Sequence, residues 1–171
     1  MNRYPCLSKL EAQGSAVVSP STAGTLAKLD SENVRVEWAK AMGRLAEDPD
    51  GALTIARTLV ESVCKHILDA SGVEYTDAWD LPKLYNETAQ RLNLGPSQHS
   101  EQAFKSILGG CASVVNGLAN LRNRLGDAHG KGPVHIRPSP RHAELGVSVA
   151  GAMASFMVAT WEHRRVAPGG I

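Results

Sequence analysis

The residues best suited to chemistry lie close together in residues 120–130, directly after a long segment with helical apolar periodicity. This stretch contains Arg122, Asn123, Asp127 and His129 together with two glycines. An arginine can hold a phosphate with paired donors, and a histidine can transfer a proton near neutral pH. Together these side chains are the minimal equipment for cleaving a phosphodiester without a metal.

Backbone geometry decides whether the arginine and the histidine can act on one phosphate. In a continuous helix Arg122 and His129 would lie about 10.5 Å apart along the axis, which is far for that purpose. Gly126 favours a helix end or kink that folds His129 back toward Arg122. In this hypothesis His129 takes a proton from a ribose 2′-hydroxyl or gives one to the departing 5′-oxygen, and Arg122 stabilises the five-coordinate phosphate. The expected product is a 2′,3′-cyclic phosphate.

Two neighbouring residues have supporting roles in the same hypothesis. Asn123 orients the scissile phosphate or the histidine ring, and Asp127 sets the tautomer of His129 or caps the turn. A plainer interpretation stays open, because polar residues at helix ends often only cap carbonyl groups and form surface ion pairs.

Local charge favours a polyanionic ligand for this segment. Between Arg122 and His142 there are five basic side chains and one acidic one, a local net charge of +4 in a chain whose total is +1. We therefore predict an RNA-binding patch. Its residues are Arg124, Lys131, Arg137 and Arg141.

The bulk composition bounds the class of protein. The chain has 171 residues, 43% of them hydrophobic and 20% charged, as is typical of one soluble globular domain. Its start lacks a secretory leader pattern. The longest mostly apolar stretch, from Leu145 to Thr160, is short and interrupted for a membrane span. We expect a cytoplasmic protein that does not bind membranes.

Apolar periodicity predicts an all-α bundle of about five helices. Residues 1–30 lack sustained periodicity and are predicted to form a loosely ordered N-terminal arm, followed by a helical domain over residues 31–171. The predicted helices begin at Asp30 or Ser31, after Asp48, after Asp80, at Ser97 or Ser100, and near Arg141.

Three further signals concern individual helices. Gly72 is predicted to end the second helix. Phe104 and Ile107 are predicted on the apolar side of the fourth. The last helix carries small residues that would allow a neighbouring helix to approach closely, either within the chain or across a dimer. They are Gly146, Ala150 and Ala154.

The other polar residues give weaker signals. Arg57, Glu61 and Lys65 form a charged stripe on the second helix, which is either a solvated face or, through Glu61, a support for the candidate site. The three cysteines are predicted to be isolated thiols. No His or Cys spacing indicates a metal site, and no cofactor is expected.

The segment from Leu118 to Gly130, LxxLRNRLGDAHG, resembles the signature of the abortive-infection C-terminal domain of bacterial phage-defence proteins, within the HEPN superfamily. The mark of that superfamily is an arginine, usually followed by a polar residue, and then a histidine after four to six residues. Arg122, Asn123 and His129 match it. Arg124 matches the spacing but precedes Leu125, so Arg122 is preferred. The run from Ala56 to Leu68 is similar to the first core helix of the family.

The resemblance implies a helical bundle that dimerises, with two such motifs facing each other across the interface. It implies metal-independent ribonuclease activity and a role as a toxin or antiviral effector, for which a neutralising protein partner is conceivable. Because some members are non-catalytic, the alternative is a helical module that binds RNA or a partner protein.

Overall fold

The computed structural model describes residues 32–126 and 138–166, and it confirms the predicted all-α, HEPN-like bundle. The described residues form five α-helices and one short 3-10 turn, with no strand among them. The α-helices are α1 (Glu32–Arg44), α2 (Pro49–Ala70), α3 (Leu81–Arg91), α4 (Gln102–Gly126) and α5 (Pro140–Val166). The predicted N-terminal arm lies outside the described residues.

The ends of α2 are fixed by local signals in the sequence. The carboxylate of Asp48 accepts the backbone N–H of Gly51 at 2.9 Å, and Pro49 occupies the first turn, where its missing donor costs nothing. At the other end Gly72 adopts a φ of +67°, and Val73 N–H donates to the carbonyl of Leu68 at 2.9 Å. This glycine-based cap ends the helix where the sequence predicted it.

Helix α2 is the central element of the bundle. It packs extensively against α1 and α5 and also contacts α3 and α4. Nine residues of α2 are buried, as the apolar period predicts. They are Ala52, Leu53, Ala56, Leu59, Val60, Val63, Cys64, Ile67 and Leu68.

The small residues of α5 pack within the chain. Gly146 lies directly beside Leu53 of α2, so close that an added Cβ would stand 2.3 Å from Leu53 Cδ2. Ala150 and Ala154 are fully buried. The sequence left open whether this face meets a neighbour in the same chain or in a second copy, and the structure assigns it to the same chain.

Two predictions about α4 were wrong in part. The helix begins at Gln102 rather than at Ser97 or Ser100, because residues 96–98 form a separate 3-10 turn. Phe104 and Ile107, predicted on the apolar side, are 53% and 62% exposed. The apolar stripe of α4 is therefore wider than the surface that the bundle covers.

By length and composition α5 also passes the test for a membrane-crossing helix. Half of its most apolar window is buried inside the bundle, and the core helix of a soluble protein passes the same test.

Candidate functional site

The candidate catalytic segment begins on the last turns of α4. The backbone of Arg122, Asn123 and Arg124 is helical, and the helix is described as far as Gly126. The side chains of these residues are outside the described part of the structure, as are four predicted site residues in full. Those four are Asp127, His129, Lys131 and Arg137.

The core holds α4 in position just before this segment. Val115 is fully buried and Leu118 is 4% exposed. Arg122 follows Leu118 by four residues, about 6 Å along the helix axis. The buried Leu118 therefore anchors the turn of α4 that leads into the motif.

Helices α2 and α4 run in opposite directions. Leu53, near the start of α2, lines one groove together with Leu118, near the end of α4. Further along α2, Cys64 lies near Tyr85 of α3, and the same tyrosine lies near Cys111, which comes earlier on α4. The end of α4 that carries Arg122 is therefore beside the start of α2.

An apolar groove of about 440 Å³ opens at this end, between α4 and α5. We call it the open seam. It exists because α4 and α5 scarcely touch, and because Gly117 contributes no side chain to fill it. The lining residues are Leu53, Val114, Gly117, Leu118, Pro138, His142, Leu145, Gly146 and Val149.

The chain re-enters the described structure at the same groove. Pro138 lines the open seam, and α5 begins two residues later. The carbonyl of Ser139 accepts the N–H groups of His142 and Ala143, and the Ser139 hydroxyl lies 3.1 Å from His142 Nδ1. Arg141, a predicted RNA-binding residue, is exposed on this first turn. Pro138, just after residues 127–137, and Leu118, one turn before Arg122, therefore line the same groove.

Glu61 lies in an ion-pair network within α2. Its carboxylate contacts Arg57 Nη1 at 3.0 Å and Lys65 Nζ at 2.8 Å. Only 13% of the Arg57 side chain and 22% of the Glu61 side chain are exposed, so the stripe is more buried than a solvated face. Arg57 Nε is buried and has no hydrogen-bond partner among the residues that the structure describes. Both ion pairs of Glu61 are internal to the helix, so its role in supporting the site stays a prediction.

The described cysteines are poorly suited to nucleophilic chemistry. Burial raises the pKa of the Cys64 thiol to about 12, and partial burial also raises the pKa of Cys111. A thiol that stays protonated is a weak nucleophile. Within residues 32–126 and 138–166, no three His, Cys, Asp or Glu side chains cluster as metal ligands.

Sequence reasoning missed the open seam. The apolar residues that line it were visible, but their periodicity does not reveal which neighbouring helix covers them. A sign was available in Gly117, because a helical glycine adds no side chain to the space beside it.

Comparison with known proteins identifies the family. The Abi_C model, described as a HEPN-like domain, matches residues 32–161, which include α1 to α4, most of α5 and the Arg122 to His129 motif. No curated protein and no solved structure gives a significant match. The match covers about three quarters of the chain. The chain therefore belongs to the Abi_C family of HEPN-like domains.

Proposed function

We propose that this protein is a metal-independent endoribonuclease of the HEPN type that acts in the cytoplasm, in phage defence or as a toxin. The observation that carries the proposal is the position of its motif. Arg122 begins the motif one turn beyond the buried Leu118, at an open groove and inside the region matched by the family. The exposed Arg141 at the same groove adds to a segment of net charge +4, which suits RNA.

The proposed reaction is an internal transfer of the phosphate. His129 accepts the proton of a ribose 2′-hydroxyl, whose oxygen forms a bond to phosphorus. Arg122 stabilises the added negative charge, and Asn123 orients the phosphate. The bond from phosphorus to the 5′-oxygen then breaks, and a protonated imidazole donates to that oxygen. The products are a 2′,3′-cyclic phosphate and a 5′-hydroxyl, with no water consumed.

We propose that the active form is a homodimer, as the resemblance implies. Two motifs facing each other would let one His129 accept a proton while the partner subunit's His129 donates one. Exposed apolar side chains on α4 and α5 support this arrangement. Ile107 is 62% exposed and precedes Val114 and Leu118 by seven and eleven residues, which places all three on one face of α4. Leu145, across the seam, is 64% exposed.

The dimer is tested by charge substitution on that face. Ile107→Glu should shift sedimentation from dimer to monomer and lower RNA cleavage, because a buried carboxylate disfavours the interface. Ser106→Glu is the matched control, since Ser106 is an exposed neighbour on a different side of α4. Equal sedimentation of both variants with the parent protein would contradict this interface.

The activity is tested by incubating single-stranded RNA with the protein in EDTA and analysing the fragment ends. Arg122→Ala and His129→Ala should each reduce cleavage by about a hundredfold or more, with little change in thermal stability. Arg124→Ala should mainly raise KM, and His135→Ala, which lies outside the motif, should leave the rate near that of the parent.

Three results would oppose the proposal. Cleavage that needs a metal would contradict the mechanism, and full activity of His129→Ala would contradict the assignment of the histidine. If RNA is bound but stays intact, both before and after any neutralising partner protein is removed, the result would instead favour the non-catalytic binding module.

A further inference from the structure

A second groove lies at the opposite end of α2, in the connection to α3. Its volume is about 880 Å³, and its walls include the half-buried aromatic rings of Tyr75 and Trp79. The two ring centroids are 6.3 Å apart and the ring planes are inclined by 49°. Asp69 in this groove and Leu53 in the open seam are sixteen residues apart on α2, or about 24 Å along the axis.

The charge of this groove is opposite to that of the candidate catalytic segment. Residues 69–83 contain four acidic side chains and one basic one. The carboxylates of Asp69 and Glu74 line the groove and are exposed. Neither forms an ion pair with any residue that the structure describes. Partial burial, interaction with Asp69 and the nearby Asp77 raise the pKa of Tyr75, so its hydroxyl stays protonated and able to donate.

The chain itself places a cation on one of the aromatic rings. Lys83 Nζ lies 4.3 Å from the centroid of the Trp79 ring. Such a contact is attractive because the face of an aromatic ring is electronegative. The ring of Trp79 is thus positioned to interact with a cation, and an arginine of a partner would replace Lys83 there or stack on the ring of Tyr75.

We propose that the groove lined by Asp69, Glu74, Tyr75 and Trp79 is a docking site for an arginine-bearing segment of a partner protein. A guanidinium group can stack on an aromatic ring while its edge donates hydrogen bonds to carboxylates, which a lysine ammonium cannot do at once. The groove is large enough for more than one side chain. The inference does not depend on ribonuclease activity, because the groove and the motif are at opposite ends of α2.

Calorimetric titration with a hexapeptide of alternating arginine and glycine tests the proposal. We expect saturable binding by the full chain that weakens as salt increases, and weaker binding of the same peptide with lysine in place of arginine. The double variant Asp69→Asn and Glu74→Gln should bind about tenfold more weakly, because each exposed charge contributes a few-fold. The matched control is Glu47→Gln with Glu101→Gln, which removes the same charge from exposed positions elsewhere and should keep the parent affinity.

A third variant tests the aromatic contribution. Trp79→Leu keeps apolar volume but removes the aromatic face, and it should weaken binding of the arginine peptide more than that of the lysine peptide. Circular dichroism checks that it is folded, and if it is not, the charge variants carry the test alone.

Several outcomes would overturn the proposal. The proposal fails if the parent protein does not bind the arginine peptide at low salt, or if the two double variants lose the same affinity for it. It also fails if the parent protein binds the arginine and lysine peptides equally well. Concentration-dependent self-association that is lost in the Asp69 and Glu74 variant would assign the groove to a second copy instead. RNA binding lost in that same variant would assign it to nucleic acid.

Discussion

Two of the neighbours of helix α5, α2 and α4, contact it to very different extents. Along α2 the contact is closed, with Val147, Ala150 and Ala154 fully buried. Along α4 the contact is almost absent, and Leu145 is left 64% exposed beside the open seam. The first interface is built from small side chains that allow close approach, and it stabilises the domain. The second leaves apolar surface available beside the motif, where burial of one leucine is worth about 1.5–3 kcal/mol to whatever covers it.

The largest expected effect comes from comparing an isoleucine of the buried core with one on the exposed face of α4. Ile67 is fully buried in α2, and Ile107 is 62% exposed on α4. Ile67→Ala should lower the free energy of unfolding by about 2–5 kcal/mol, because it removes buried methyl groups and leaves a cavity. In the monomer Ile107→Ala should change it by about 0.5 kcal/mol or less. Urea denaturation measures both, and similar losses would mean that the open face is covered.

Alkaline pH gives a second and smaller contrast. Cys64 lies in the closed core, where burial raises its pKa to about 12, and burial also raises the pKa of Tyr85. Above about pH 9 the unfolded chain loses the Cys64 proton while the folded chain keeps it. Stability should therefore be constant below pH 9 and fall between pH 9 and 12, by on the order of 1 kcal/mol per pH unit for this group.

Thermal unfolding between pH 7 and 11 measures this loss. Cys64→Ala should reduce the slope above pH 9, although the variant is less stable at every pH. Cys111→Ala is the matched control and should change the slope less, since that thiol is only partly buried. An unchanged slope in Cys64→Ala would assign the alkaline loss to other groups.

The sequence predicted the elements better than their contacts. Asp48, Gly72 and Asp80 marked helix ends because caps are local, and the buried face of α2 followed from its period. Periodicity could not separate Ile107 from the adjacent Leu108, which is 5% exposed, because burial depends on where a distant helix packs.

The candidate motif was recognised from residue types, whereas the groove beside it depends on the spacing of α4 and α5. The groove lined by Tyr75 and Trp79 lies in the connection between α2 and α3, whose residues have no apolar period from which it could be predicted.

The smallest expected effect compares two helical glycines, Gly117 beside open space and Gly146 packed against α2. An alanine Cβ at Gly117 meets nothing within 4 Å, whereas at Gly146 it would stand 2.3 Å from Leu53 Cδ2. Gly117→Ala should raise the free energy of unfolding by about 0.5–1 kcal/mol through helix propensity alone. Gly146→Ala gains the same propensity but must displace Leu53, so it should be less stable than Gly117→Ala by about 1 kcal/mol or more.

A double-mutant cycle identifies the cause of that difference. In a Leu53→Ala background the obstructing atom is gone, so Gly146→Ala should become as favourable as Gly117→Ala. If Gly146→Ala is equally favourable with Leu53 present, the leucine turns into the open seam at no cost. The seam would then be adaptable space rather than a fixed groove. A persistent penalty in the Leu53→Ala background would instead place the obstruction in the backbones of α2 and α5. The difference between Gly117 and Gly146 would then arise from the close spacing of those two helices alone.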